Sequence, residues 1–176
     1  MTVHVVTLCT GNAARSVMAK LMLERARPDL HVTGAGTLVL EGQPMSVRTR
    51  RALQRHDLAD LTHRSTQFGP EHLVADLVVA MEPQHLGWME RNHPELLPRV
   101  GLLPDVVSRW PRDAATIANG VQQLAFQKHE PSDDDSVIDP AGGEQPEFDR
   151  CADELARLMD RLATLLPRAE PDVDMS

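Results

Sequence analysis

An apolar run, Val3-His4-Val5-Val6-Thr7-Leu8, leads straight into Cys9-Thr10-Gly11-Asn12-Ala13-Ala14-Arg15-Ser16, and then into Val17-Met18-Ala19-Lys20-Leu21-Met22-Leu23. Short β-branched run, tight polar loop, amphipathic stretch: this order predicts a strand–loop–helix unit. Such a unit leaves the N–H groups of the loop and the first helical turn without carbonyl partners, pointing into one concavity that suits an anion. A cysteine opens the loop and an arginine closes it, with five residues between, so both are expected to face the same cradle. A thiol among N–H dipoles and one guanidinium is stabilised as a thiolate. The arginine fork can bind two oxygens of one tetrahedral anion side by side, which lysine cannot reproduce.

The remaining chain alternates short apolar runs with helical patterns. A helix is expected from about Ser16 to Ala26, closed by Arg27-Pro28. His31-Val32-Thr33 begins a second strand, terminated by Gly34-Ala35-Gly36; the two glycines mark either a turn or a tight backbone approach to the first loop. Ser46 starts a basic helix, Val47 to His56, with Ala52 and Leu53 inward and Arg48, Arg50, Arg51 and Arg55 on a solvated face. Asp76 to Met81 reads as a strand covered on both sides. A helix over Gln84–Asn92 follows, stopped by His93-Pro94, and then a fourth strand over Val100–Leu103. Glu147 to Leu166 carries Phe148, Cys151, Leu155, Leu158, Met159, Leu162 and Leu165 on one stripe. The predicted fold is α/β, a doubly wound four-stranded parallel sheet with helices on both faces. Residues 105–136 look inserted: Asp113–Lys128 has helical character with a weak Asn119-Gly120 interruption, and 129–136 form an acidic loop ahead of Asp139. The reading is one domain over 1–166 and a frayed acidic tail over 167–176.

At 176 residues and a net charge of −8, the chain suits one core and argues against nucleic acid or an anionic membrane as partner. No signal-peptide pattern and no run long enough to span a bilayer is read. Two cysteines far apart, Cys9 and Cys151, are cytosolic usage. His56, His63, His72, His85 and His93 lack ligand spacing, so no metal or other cofactor is expected.

The loop Cys9-Thr10-Gly11-Asn12-Ala13-Ala14-Arg15-Ser16 resembles the phosphate-binding loop of the low-molecular-weight protein tyrosine phosphatases, a family that also includes arsenate reductases. Three later stretches match in order: Thr33-Gly34-Ala35-Gly36-Thr37, His63-Arg64-Ser65 and Val137-Ile138-Asp139-Pro140. The similarity spans about residues 3 to 166 and implies a flavodoxin-like fold. It also implies hydrolysis of phosphate monoesters, on protein phosphotyrosine or another phosphorylated substrate, through a phosphocysteine intermediate. Cys9 is then the nucleophile and Arg15 the phosphate ligand, helped by the N–H groups of Thr10, Gly11, Asn12, Ala13 and Ala14. Asp139 is the general acid and base, and Ser16 donates to the thiolate; a helix N-cap is the other reading of Ser16. Gly11 permits close approach, and Asn12 tolerates a left-handed conformation and braces the loop. His63 corresponds to the family histidine that hydrogen-bonds the loop asparagine; a surface histidine is the plainer reading.

The chain departs from the family pattern in places. Ala14 stands where the family places a second cysteine able to protect the nucleophile as a disulfide, Val17 replaces a proline, and Gly34 replaces a serine. The aromatic walls that sandwich phosphotyrosine are missing: there is no tyrosine, Leu38 and Val39 stand near the first wall, and Ala141-Gly142 follow Asp-Pro. Trp110 or Phe126 is a candidate wall, with core packing the competing role. Two alternatives remain: an arsenate reductase using Cys9 with a small-thiol partner, and a non-catalytic oxyanion-binding module.

Overall fold

The structure, a computed structural model, describes residues 2–128 and 130–168. Four strands, β1 (His4–Cys9), β2 (His31–Gly36), β3 (Leu77–Ala80) and β4 (Val100–Leu102), pair in the order β2-β1-β3-β4, all parallel. The helices are α1 (Arg15–Ala26), α2 (Val47–Gln54), α3 (Pro83–Asn92), α4 (Leu103–Arg109), α5 (Ile117–Leu124) and α6 (Gln145–Leu165). This is the doubly wound, flavodoxin-like α/β arrangement.

Strand alternation divides the core in two. Val5, Cys9, Val32, Leu77 and Val79 face α1, α2, α4, α5 and α6. Val6, Leu8, Ala35, Val78, Ala80 and Leu102 face α3 and the 94–99 turn. Every residue of β1 and β3 is buried, as strands covered on both sides require. The end of α1 is tied to the end of α6 by Arg27, which is 1% exposed. Its guanidinium donates to the carbonyls of Ala163, Leu166 and Pro167 and pairs with Asp29.

Several elements differ from the sequence reading. β2 runs through both glycines instead of ending before them, with Gly34 opposite Thr7 and Gly36 opposite Cys9 on β1. A Cβ on Gly36 would stand 2.4 Å from the Thr10 carbonyl oxygen, so the pair marks close approach and not a turn. β4 ends at Leu102, and Leu103 opens α4, a helix the sequence reading did not anticipate. Of the helix expected over Asp113–Lys128, the part Ile117–Leu124 is α-helical, started by the Thr116 hydroxyl accepting from Asn119 N–H. Gly120 does not interrupt it, because the Trp110 ring lies where a Cβ would be. Trp110 and Phe126 are both buried in the core, Phe126 against Gly101, and neither forms a wall of the site. Of the expected tail, residues 169–176 lie outside the described residues.

Candidate active site

The sheet order reverses at β1, whose neighbours β2 and β3 lead off in opposite directions. Open α/β sheets bind ligands outside the carboxyl ends of the strands at such a point, and here the loop 10–14 occupies it. α1 begins at Arg15 behind Ala14, with no side chain capping its first turn. By contrast, Ser46 caps α2 and Thr116 caps α5. The first-turn N–H groups of α1 are therefore left for an anion.

Inside the loop, Asn12 has φ +49, the left-handed conformation that asparagine tolerates. Its side chain bridges two elements: Nδ2 donates to Ser16 Oγ at 2.9 Å, and Oδ1 accepts from Thr66 N–H at 3.0 Å. Ser16 Oγ lies 3.0 Å from Cys9 Sγ. Either atom can donate in that pair, and against a thiolate, which has no proton to give, the Ser16 hydroxyl is the donor. Ser16 is thus the second residue of α1, bonded to the cysteine, and not its N-cap. His63 Nε2 and the Ser65 hydroxyl both donate to the Asn12 carbonyl, at 2.8 and 3.0 Å. His63 therefore holds the backbone of the loop asparagine, not its amide, and burial lowers its pKa. Thr49 on α2 donates to the Ala13 carbonyl at 2.9 Å, and Thr7 to the Ser16 carbonyl at 2.8 Å. Gly34, where a serine was expected, lies against the Asn12 amide: a Cβ there would stand 3.0 Å from Nδ2. A Cβ at Gly11 would meet nothing within 4 Å, so Gly11 is not needed for space.

Arg15 is 2% exposed and its fork is fully engaged. Nη1 donates to the Val137 carbonyl at 3.0 Å and pairs with Glu82 Oε2 at 3.0 Å, while Nη2 pairs with Asp139 Oδ2 at 3.0 Å. Asp139 is held by the Ala141 N–H on its other oxygen, and its loop is pinned by Val137 N–H donating to the Met81 carbonyl. Cys9 is thereby tied to Ser16, and Asp139 is brought from 124 residues away in sequence to Arg15, the neighbour of Ser16 at the start of α1.

Two residues of this surround escaped the sequence reading. Glu82, the residue before α3, grips Arg15 from the end of β3. His85, in the first turn of α3 and 0% exposed, stands with Nε2 3.0 Å from Thr10 Oγ1. Burial, with the Arg15 charge adding to it, pushes the His85 pKa down to about 3. The one signal for them was Glu82-Pro83 closing an apolar run, a helix-start pattern. Nothing local tied that start to Cys9.

The family model described as low molecular weight phosphotyrosine protein phosphatase matches residues 4–123. A protein-arginine-phosphatase from Geobacillus stearothermophilus is 30% identical over 168 residues, covering 94% of this chain and 97% of its own. Low molecular weight protein-tyrosine phosphatase A of Mycobacterium bovis is 38% identical over 106 residues, 56% of this chain and 60% of its own. Among solved structures, YwlE arginine phosphatase from Geobacillus stearothermophilus superposes with a TM-score of 0.74 at 29% identity, covering 92% of this chain and 91% of that one. Together with the strand order and the cradle, these matches mean that the chain belongs to the low molecular weight phosphotyrosine protein phosphatase family of hydrolases.

Proposed function

We propose that the protein removes phosphate from phosphorylated proteins through a phosphocysteine intermediate formed on Cys9. Arg15 and the N–H groups of Thr10 to Ser16 hold the phosphoryl oxygens. The Cys9 thiolate attacks phosphorus in line, and the S–P bond forms as the bond to the leaving atom breaks. That atom takes its proton from the Asp139 carboxyl. Water then attacks the phosphocysteine, Asp139 takes the water proton, and phosphate leaves with the thiolate restored. A nucleophile of this kind works as a free thiol, so the protein is proposed to act in a reducing compartment such as the cytoplasm. The observation that carries this reading is the linkage of Cys9 to Ser16 and of Arg15 to Asp139 around one uncapped helix start.

The rim favours a phosphorylated arginine over phosphotyrosine as the substrate side chain. Leu38, whose N–H donates to the Thr10 carbonyl, is 78% exposed, and Ile138 beside Asp139 is 77% exposed. Aliphatic walls suit a methylene stem and forgo the ring–ring contacts worth about 0.5–1.5 kcal/mol. Two carboxylates at the cradle, Asp139 and Glu82, suit a guanidinium leaving group. The long match to a protein-arginine-phosphatase supports the same choice.

Hydrolysis of an aryl phosphate, a phosphoarginine peptide and a phosphotyrosine peptide by wild type, Cys9→Ser and Asp139→Asn tests both readings. Cys9→Ser is expected to be inactive on all three. Turnover surviving in Cys9→Ser removes the phosphocysteine mechanism, and a preference for phosphotyrosine removes the substrate assignment. Arsenate reduction with small thiols serves as the control for the alternative chemistry.

A further inference from the structure

Thr10 is the residue directly after the nucleophile, and its hydroxyl meets a histidine that solvent does not reach. Two contacts of that histidine settle where its proton sits. Glu82 N–H points at His85 Nδ1 at 3.2 Å, and an amide N–H only donates, so Nδ1 carries a lone pair. The ring is neutral at working pH, because burial and the Arg15 charge both oppose its protonation. Its single proton therefore lies on Nε2, which donates to Thr10 Oγ1 at 3.0 Å. A hydroxyl oxygen that accepts in this way keeps its own proton for another acceptor. Among the described residues Thr10 Oγ1 has no other hydrogen-bond partner. The same ring nitrogen is 3.7 Å from Glu82 Oε1, which lies 3.4 Å from Arg15 Nη2, so the hydroxyl stands beside the guanidinium pair that lines the cradle.

The tautomer sets the sign of what Thr10 presents. With a proton on Nδ1 instead, Nε2 would accept from the hydroxyl, and the hydroxyl would turn lone pairs toward any anion in the cradle. We propose that His85 is a positioning residue: by donating to the Thr10 hydroxyl, it frees that hydroxyl's proton to donate to a phosphoryl oxygen. Thr10 thereby adds a side-chain donor to the ring of backbone N–H groups. The inference rests on the phosphatase reading for the identity of the anion, and on the geometry alone for the tautomer.

The test has an arm for each. In the full chain with 15N-labelled histidine, NMR is expected to show His85 neutral with its proton on Nε2 between pH 5 and 8. A proton on Nδ1, or titration within that range, overturns the proposal whether or not the protein is a phosphatase. The second arm measures inorganic phosphate affinity, kcat and KM. Thr10→Val is expected to weaken phosphate binding and lower kcat/KM about ten-fold or more, with Thr10→Ser close to wild type. His85→Gln, whose amide nitrogen replaces the Nε2 donor, is expected to retain activity, and His85→Leu to match Thr10→Val. The double variant His85→Leu/Thr10→Val should be no worse than Thr10→Val alone. Wild-type phosphate affinity in Thr10→Val, or fully additive losses, overturns the proposal. Should His85→Leu fail to fold, the tautomer and the Thr10 pair still decide. A wild type that binds phosphate with the expected tautomer but hydrolyses nothing would count against the phosphatase reading and not against the role of His85.

Discussion

Gly36 of β2 runs so close to Thr10 that a side chain at position 36 would collide with the Thr10 carbonyl at 2.4 Å and with the Asn12 N–H nitrogen at 3.0 Å. Both atoms belong to the backbone of the loop between β1 and α1, which cannot move without reshaping the cradle. Gly36→Ala is therefore expected to cost about 1–3 kcal/mol of stability and at least a hundred-fold in kcat/KM. Gly34→Ala is expected to be far milder, because its nearest obstacle is the Asn12 side-chain nitrogen at 3.0 Å. Thermal melts and turnover of the two variants check the contrast, and equal losses would refute it.

The buried Arg15 is balanced by Glu82 and Asp139 when no anion is bound. Removing one partner of a buried pair costs about 3–5 kcal/mol, and the 19% exposure of Glu82 moderates that cost. Glu82→Ala is expected to lower Tm, and millimolar phosphate or vanadate is expected to restore more of that loss than it adds to wild type. The bound anion takes over the role of the missing carboxylate. Melting curves with and without phosphate measure the difference; an equal shift in both proteins would sink the idea.

How much of this was readable in advance depends on distance along the chain. The β1–loop–α1 unit is contiguous, so spacing alone suggested one concavity for Cys9 and Arg15, while the roles of Asn12 and Ser16 came with the family resemblance. Glu82 and His85 could not, because their role exists only once β3 pairs beside β1 and sets the first turn of α3 against the loop. The paired glycines of β2 were ambiguous locally, since a turn and a close approach ask for the same residue. Gly120 looked like a helix break for a similar reason: its small size serves the Trp110 ring, a contact invisible in the one-dimensional pattern.

Ser16 is expected to matter for rate more than for fold. It accepts from Asn12 and donates to Cys9 Sγ, and a hydrogen bond to a charged group is worth about 1.5–3 kcal/mol. Ser16→Ala should lower kcat about ten- to a hundred-fold. Asn12→Ala should cost more, losing the bonds to Ser16 and Thr66 and placing alanine at φ +49. Asn12→Gly relieves the backbone term alone and should recover stability without recovering the rate. Paired melts and single-turnover rates separate these effects.

Acid should destabilise the protein before its carboxylates titrate. The His85 pKa is about 3 in the folded chain against an ordinary 6.5, and burial also lowers those of His4, His63 and His72. The unfolded chain then binds more protons than the folded one below pH 6.5, so stability is full above that pH and falls as pH drops toward 3. By pH 5 His85 alone accounts for about 2 kcal/mol, from about 1.5 pH units at 1.36 kcal/mol each. That corresponds to a fall in Tm of about 4–8 °C for a chain of this size. His85→Gln should flatten that part of the slope between pH 7 and 5, and an unchanged slope would exclude His85 as its source.

Oxidation is expected to damage Cys9 beyond repair. A sulfenic acid on Cys9 is rescued when a nearby thiolate condenses with it, and Ala14 offers none at the neighbouring loop position. The other cysteine, Cys151 on α6, is a buried free thiol whose pKa burial pushes up to about 12. It is therefore protonated and a poor attacker at neutral pH. Mild peroxide should convert Cys9 to sulfinic and sulfonic acid, with activity that dithiothreitol does not return. Ala14→Cys should supply the missing thiol, trap a disulfide and make the loss reversible. Full recovery of the unmodified protein by reductant, with no mass gain of two or three oxygens on the Cys9 peptide, would refute this.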